Sequence, residues 1–314
     1  MGLTIGVDVG GTKVLAGVVD ELGNVLERVR EDTPKTDPAA ITDVIGSLVC
    51  ALRAKHDVDA VGIGAAGFVD TARANVLFSP NLVWRDEPLT ERLSKIIDLP
   101  IVVENDANCH AWAESRFGAA RGKHNVVAVI IGTGIGGGLV LDGELFRGGF
   151  GIAGEFGHVC VVPGGRACGC GNHGCWEQYC SGMALVREAR DLAVAAPVRM
   201  PYLLDKAGNE ISAITGPLVT EAAGAGDPGA LECFAVVGRW LGEGLANLAA
   251  ILDPDTFVIG GGVADAGELL MKPTCAAFTA SLTGAAYRPH APVVAAQLGS
   301  AAGLVGAADL ARHR

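Results

Sequence analysis

This sequence predicts a mixed α/β fold in two lobes, on three observations. β-Branched runs at 3–8 and 14–19 flank a Gly10-Gly11 turn. The same order of strand, glycine turn and strand returns at 126–131, 132–137 and 139–141. Between and after these hairpins lie stretches with apolar residues at helical spacing. Two hairpins tipped with glycine and threonine suggest one ancestral unit used twice, without the fixed period of a solenoid. With 314 residues, 50% of them hydrophobic and 19% charged, the chain can fill two moderate cores. The expected division is a small α/β domain over 1–117, joined by a C-terminal helix at about 303–314, and a larger α/β domain over 118–302.

In chain order, the strands at 3–8 and 14–19 are followed by a Leu22-Gly23-Asn24 turn and a third strand at 25–31, which makes a meander. A helix is expected over 38–56, with Asp37 as N-cap and Ile41, Val44, Ile45, Leu48 and Leu52 on one face. Residues 58–64 read as a buried strand ending in the small-residue turn Ala65-Ala66-Gly67, with Asn81 and Trp84 in the region beyond. A short strand at 101–103 runs into Glu104-Asn105-Asp106-Ala107-Asn108, and a helix continues to about 117. In the second lobe Asp142-Gly143 is a hairpin signal, and 232–252 reads as a long helix stopped by Asp253-Pro254. A strand at 257–259, the glycines 260–262, a helix from about 266 and a terminal helix over 303–314 complete the reading.

Charge and termini narrow the setting. Lys and Arg number 24 against 35 Asp and Glu, a net charge of −11 that repels nucleic acid and anionic lipid and favours a small neutral substrate. The opening MGLTIGVDVGG has no basic segment before its apolar residues and places Asp8 inside the run, so no signal peptide is expected. Uninterrupted apolar runs such as 126–131 fall far short of the roughly 20 residues that span a bilayer. A cytoplasmic chain with reduced thiols, some of them metal-bound, is the expectation.

The densest chemistry lies at 155–177, EFGHVCVVPGGRACGCGNHGCWE. His158, Cys168, Cys170 and Cys175 supply the Cys₃His set of a closed structural zinc site, so chemistry would fall to neighbours such as Glu155 and Glu177. Gly169, Gly171 and Gly174 suit the sharp backbone turns of a metal knuckle. Two other glycine segments depart from the known phosphate loops. Gly132, Gly134 and Gly137 match G-x-G-x-x-G in letters, but a strand follows where a dinucleotide fold needs a helix. Gly10-Gly11-Thr12-Lys13 lacks the Walker order. Both remain glycine hairpin tips whose backbone N–H groups, with Thr12 and Thr133, can still hold phosphate. Asp8, beside the first tip, can hold Mg²⁺ through water. Asp106, at the end of a buried strand, is either a base for an alcohol proton or the N-cap of the next helix, and Asn105 beside it can bond a sugar hydroxyl.

Together, DVGGTK at 8–13, ENDAN at 104–108, IGTGIGGG at 131–138, EFGH at 155–158 and CGCGNHGCWE at 168–177 make the chain resemble the ROK sugar kinases of the actin-like ATPase superfamily. Within it, the resemblance is to ATP-dependent bacterial glucokinases of actinobacterial type. It covers essentially the whole length. It implies an actin-like ATPase (ribonuclease H-like) fold, two lobes about a central cleft that closes to exclude water, and transfer of phosphate from ATP to the 6-hydroxyl of glucose. N-acetylmannosamine, N-acetylglucosamine and fructose are the rival substrates. By the same resemblance Asp106 is the general base, and Gly67, Asn81, Asn105, Glu155, His158 and Glu177 line the sugar site. Asp8, Gly10, Gly11, Thr12 and Lys13, with Gly132, Thr133, Gly134, Gly136 and Gly137, hold phosphate and Mg²⁺, and Gly260, Gly261, Gly262 and Val263 lie at the adenosine. Zinc sits on His158, Cys168, Cys170 and Cys175. Cys109, Cys160 and Cys180 are read as packing thiols and His173 as a surface residue. A homodimer or homotetramer is implied. ROK repressors carry a helix-turn-helix ahead of the first glycine turn, where this sequence has seven residues, and the zinc segment disfavours polyphosphate as donor.

Overall fold

The computed structural model describes residues 2–34, 36–80 and 82–313. It divides into two compact units. One comprises Met1–Ala128, Gly137–Gly154 and Ala296–Arg314, and the other Val129–Gly136 and Glu155–Ala295.

The first unit opens on the expected meander: β1 (Leu3–Val9), β2 (Lys13–Val19) and β3 (Val25–Asp32). α1 (Pro38–Arg53) follows, and the Asp37 carboxylate caps it by accepting from Ala39 N–H at 2.9 Å. Its Ile41, Ile45, Leu48, Val49 and Leu52 are buried against the sheet core, as their spacing requires. Then come β4 (Val58–Ala65), the short strands β5 (Phe68–Val69), β6 (Val76–Phe78) and β7 (Arg85–Glu87), a short helix α2 (Leu89–Leu93), β8 (Ile101–Asn105) and α3 (Asp106–Arg116). The main sheet runs β3-β2-β1-β4-β8, with β1 antiparallel to β2 but parallel to β4, and β4 parallel to β8. That is the ribonuclease H-like order, and it lays the ends of β1, β4 and β8 side by side: Asp8 pairs with Gly64, and Gly64 with Glu104.

The next strands, β9 (Val126–Ile131), β10 (Ile135–Leu141) and β11 (Glu144–Phe146), begin a second sheet of order β11-β10-β9-β12-β13. Asp142 and Gly143, at φ 54° and 84°, form the two-residue turn that Asp-Gly signals. Helices α4 (Glu177–Cys180), α5 (Gly182–Ala195), α6 (Pro201–Lys206), α7 (Gly216–Gly224) and α8 (Pro228–Leu252) follow. β12 (Thr256–Gly260), α9 (Glu268–Ser281), with Pro273 inside it, and β13 (Val293–Ala295) complete the second unit. α10 (Ala302–Arg312) belongs to the first unit, on the sheet beside α3. The strand glycines explain how closely it lies: a Cβ on Gly6 would fall 1.9 Å from Leu304 O, and one on Gly62 1.7 Å from Ala307 O. Buried Asp309 locks the helix to α3 by accepting from Trp112 Nε1 at 2.9 Å and pairing with Arg116 Nε at 3.2 Å.

Some boundaries differ from the sequence reading. β10 begins at Ile135, so Gly136 to Gly138 belong to a strand and the glycine turn shrinks to 132–134. A Cβ at Gly138 would stand 2.5 Å from Ala111 Cβ and 2.9 Å from Ala107 O, so this glycine serves the approach of strand to α3 rather than a turn. α8 starts four residues before the expected 232, at Pro228, where Asp227 caps Gly229 and Ala230 N–H, a visible Asp-Pro start signal that was passed over. α8 is also long and apolar enough to cross a bilayer, which uninterrupted runs did not reveal, but half of its most apolar window is buried within the molecule and it packs on α9, α5, α7 and α4.

Candidate active site

In the first unit the site is built where β8 turns directly into α3. Asn105 is both the last residue of the strand and the N-cap of the helix: its Oδ1 accepts from Asn108 N–H at 3.0 Å, and its Nδ2 donates to Gly67 O at 3.0 Å. That removes the N-cap alternative for Asp106. The cap is its neighbour, and Asp106 is the first helical residue, with Oδ1 on Ala107 N–H at 2.9 Å. Burial and then the nearby Asp8 carboxylate push its carboxyl up to about 6, against the pull of His110. Asp8, one residue from the end of β1, is likewise raised by burial and lowered by His110 and Lys13. A raised carboxyl that is neither a cap nor fixed by an ion pair suits proton transfer near neutral pH.

Beneath it lies a network of ion pairs and hydrogen bonds centred on Glu104. Glu104, 1% exposed, pairs with Arg73 Nε at 3.1 Å and Arg147 Nε at 2.8 Å. It also accepts from Asn105 N–H at 2.9 Å and Asn108 Nδ2 at 3.0 Å. Gly67 sits where no side chain fits, with Phe78 O 2.3 Å from its would-be Cβ. Two residues that sequence reading missed complete this corner. His110 Nδ1 lies 2.9 Å from Asp106 O, and Gly303 of α10 packs so that its would-be Cβ is 3.0 Å from His110 Cε1 and 3.1 Å from Asp8 Cγ. The i, i+4 spacing of Asp106 and His110 on one helix was the available signal; nothing local marks Gly303. The turn at Gly10 and Gly11 is closed by Gly10 N–H to Lys13 O at 3.0 Å, and Thr33 braces it by donating to Gly10 O at 2.7 Å. A Cβ at Gly10 would make only an ordinary 3.5 Å contact, so packing does not demand glycine there.

In the second unit Gly132 and Thr133 are held through their carbonyls by the start of α5, from Gly182 N–H at 2.9 Å and Met183 N–H at 3.3 Å. A Cβ on Gly132 or on Gly262 would meet open space, whereas Gly261, at φ 86°, stands against Ile131 O and must be glycine. Val263 N–H bonds Ile131 O at 3.1 Å, which brings the 260–263 turn beside the 132–134 turn. Bare backbone at 132 and 262, with no packing reason for it, is what close approach of a phosphate or nucleotide requires.

The knuckle assembles as the spacing implied. One atom each from His158, Cys168, Cys170 and Cys175 lies within 4.8 Å of all the others. Zn–S and Zn–N bonds of tetrahedral zinc place two sulfurs about 3.8 Å apart and a sulfur and a nitrogen about 3.6 Å apart. Cys170 and Cys175 sulfurs are 3.6 Å apart, and Cys168 Sγ is 3.6 Å from His158 Nδ1, so the donor set fits that ion, with Nδ1 the nitrogen turned toward the sulfurs. His158 Nε2 then faces the other way, 3.9 Å from Glu155 Oε2. Glu177 joins knuckle and glycine turn: Oε1 accepts from Cys168 Sγ at 3.1 Å, and Oε2 from Ile135 N–H at 3.3 Å. Asn81 lies outside the described residues. Cys109 and Cys180 are buried as expected, but Cys160, bridged to Cys175 in the knuckle ribbon, is exposed and so is not a packing thiol.

Fold and site together define a sugar kinase of the actin-like ATPase class, and the ROK family model matches residues 4–314, so the chain belongs to that family. It is 51% identical to a glucokinase of Streptomyces coelicolor over 313 residues, 100% of this chain and 98% of the relative, and 36% identical to a Thermotoga maritima glucokinase, covering 99% and 97%. Its fold matches the crystal structure of a ROK family glucokinase from Streptomyces griseus in complex with glucose and AMPPNP at a TM-score of 0.91, with 53% identity and 100% of both chains covered.

Proposed function

We infer that the protein is an ATP-dependent glucokinase that transfers the γ-phosphoryl group to the 6-hydroxyl of glucose. The observation that carries the chemistry is Asp106, half-buried, relieved of capping by Asn105 and raised to about 6. At pH 7 about nine in ten such carboxyls are ionised, yet each is basic enough to take a hydroxyl proton as the new P–O bond forms. Full-length identity of 51% and 53% to glucokinases supports glucose as acceptor and ATP as donor.

Glu155, His158 Nε2 and Glu177 would bond the remaining hydroxyls, with Asn105 using its second Nδ2 hydrogen and Gly67 leaving room at its turn. The backbone N–H groups of the 10–13 and 132–134 turns would hold the phosphates, and the 260–263 turn the adenosine. Asp8 would hold the nucleotide's Mg²⁺, which supplies charge neutralisation at the transferring group. Zinc on His158, Cys168, Cys170 and Cys175 would fix the loop carrying the sugar ligands and take no part in the reaction. A coupled assay with ATP against glucose, mannose, fructose, N-acetylglucosamine and N-acetylmannosamine tests the reading. Glucose should give the highest kcat/KM, and a higher value for either N-acetylated sugar would replace it as substrate.

A further inference from the structure

Cys160 is not in the metal set, yet it lies directly across an antiparallel bridge from one of its members, Cys175. The hydrogen bonds framing the bridge come from the flanking residues: Trp176 N–H to Val159 O at 2.8 Å and Val161 N–H to Gly174 O at 2.9 Å. Cys160 and Cys175 therefore form the non-hydrogen-bonded kind of pair. In such a pair the Cα atoms stand about 4.5 Å apart, inside the roughly 4.4–6.8 Å that a disulfide spans, and both side chains leave the ribbon on one face. The Cys160 sulfur leans toward the opposite strand, 3.4 Å from where a Cβ on Gly174 would sit. Cys160 is exposed, whereas Cys175 is fully buried.

We propose that Cys160 and Cys175 are a peroxide-responsive disulfide pair, and that closing it removes one metal ligand and releases the sugar-binding loop. The second half rests on the metal reading above; the pairing itself does not. The exposed Cys160 thiolate attacks one oxygen of hydrogen peroxide, the O–O bond breaks, and the departing hydroxide takes a proton to leave as water, which makes Cys160 a sulfenic acid. Cys175 sulfur then attacks the Cys160 sulfur, the S–O bond breaks, and a second water leaves. In sum two thiols give up two electrons and two protons, and one peroxide becomes two waters. His158, Cys168 and Cys170 remain, a three-ligand set with an open position in place of a closed structural one, so the ion is lost and the staple with it.

The test starts by measuring zinc in the protein as isolated. Peroxide is then added beside a chromogenic zinc chelator, and alkylated tryptic peptides are mapped by mass spectrometry. Zinc should leave in step with a Cys160–Cys175 linked peptide two hydrogens lighter than its parts, and dithiothreitol with zinc should reverse both. Cys160→Ser should keep its metal and its glucose phosphorylation, and should release zinc roughly tenfold or more slowly under the same peroxide, because no adjacent thiol resolves or initiates the reaction. A disulfide mapped among Cys168, Cys170 and Cys175 instead, or equal release from Cys160→Ser, would overturn the proposal. Protein that carries no zinc when isolated would sink the metal reading alone, and the disulfide map would still decide the pairing.

Discussion

Replacing Asp106 with asparagine should do two opposite things at once. The carboxyl has been moved from an ordinary 3.8 to about 6, chiefly by burial. At about 1.4 kcal/mol per pH unit, its ionised form burdens the folded state by about 3 kcal/mol. For a carboxyl raised in this way, stability is fully present below about pH 4 and is lost as pH rises through 6. Asparagine has the same shape, can still accept from Ala107 N–H, and never ionises. The stability advantage of Asp106→Asn should therefore roughly double between pH 5 and pH 8, where it reaches about 3 kcal/mol, read from urea unfolding across that range. Turnover should fall by about 10²–10⁴, while glucose binding, measured by calorimetry, persists. In the wild type, kcat/KM should decline below about pH 6 as the Asp106 carboxyl takes up a proton. A variant with wild-type kcat, or a stability difference that stays flat from pH 5 to pH 8, would refute both the role and the electrostatic reasoning.

Cys170→Ser should lose zinc, by elemental analysis, and glucose affinity together, since Glu155, His158 and Glu177 share the loop that the ion fixes; undiminished affinity in metal-free protein would separate the two. Glu104→Gln leaves Arg73 and Arg147 without their carboxylate and should destabilise by roughly 3 kcal/mol, while the amide oxygen can still accept from Asn105 N–H and Asn108 Nδ2. Unchanged thermal unfolding would remove Glu104 from the account. Gly62→Ala drives a methyl into Ala307 O and should cost about 3 kcal/mol or more as α10 is levered off the sheet, whereas Gly132→Ala, facing open space, should keep the fold and raise KM for ATP. Circular dichroism melts and nucleotide kinetics on the same preparations distinguish these outcomes.

Much of this was legible in the residues, and the gaps have physical causes. The first hairpin, the Asp37 cap and the Asp142-Gly143 turn follow from local sterics, which sequence reports directly. The role of Asp106 was not decidable, because Asn105 and Asp106 are both favoured caps and only the exact end of β8 decides which one caps. Gly136 and Gly137 read as part of the 132–137 turn because glycine looks the same in a loop and in a strand, and the neighbours that require glycine at Gly138, Ala107 and Ala111, lie about thirty residues away. The knuckle was readable because its four donors fall within eighteen residues. His110 and Gly303 beside Asp106 and Asp8 were not, since their meaning arises only when α10 returns to the sheet.

That return has a consequence for how the chain acquires its shape. Gly6, Gly62 and Gly306 are hollows matched to the backbone of Leu304, Ala307 and Cys109, roughly two hundred to three hundred residues away in the chain, so the sheet beside Asp106 cannot be finished until α10 has been made. The intervening Glu155–Ala295 stretch is nearly self-contained and has no such wait. Pulse-labelled hydrogen exchange during refolding should find β12 shielded before β1, and the reverse order would mean that the meander needs no help from the late helix. Competence for proton removal would then be the last property the molecule gains and the first it forfeits when its final helix frays.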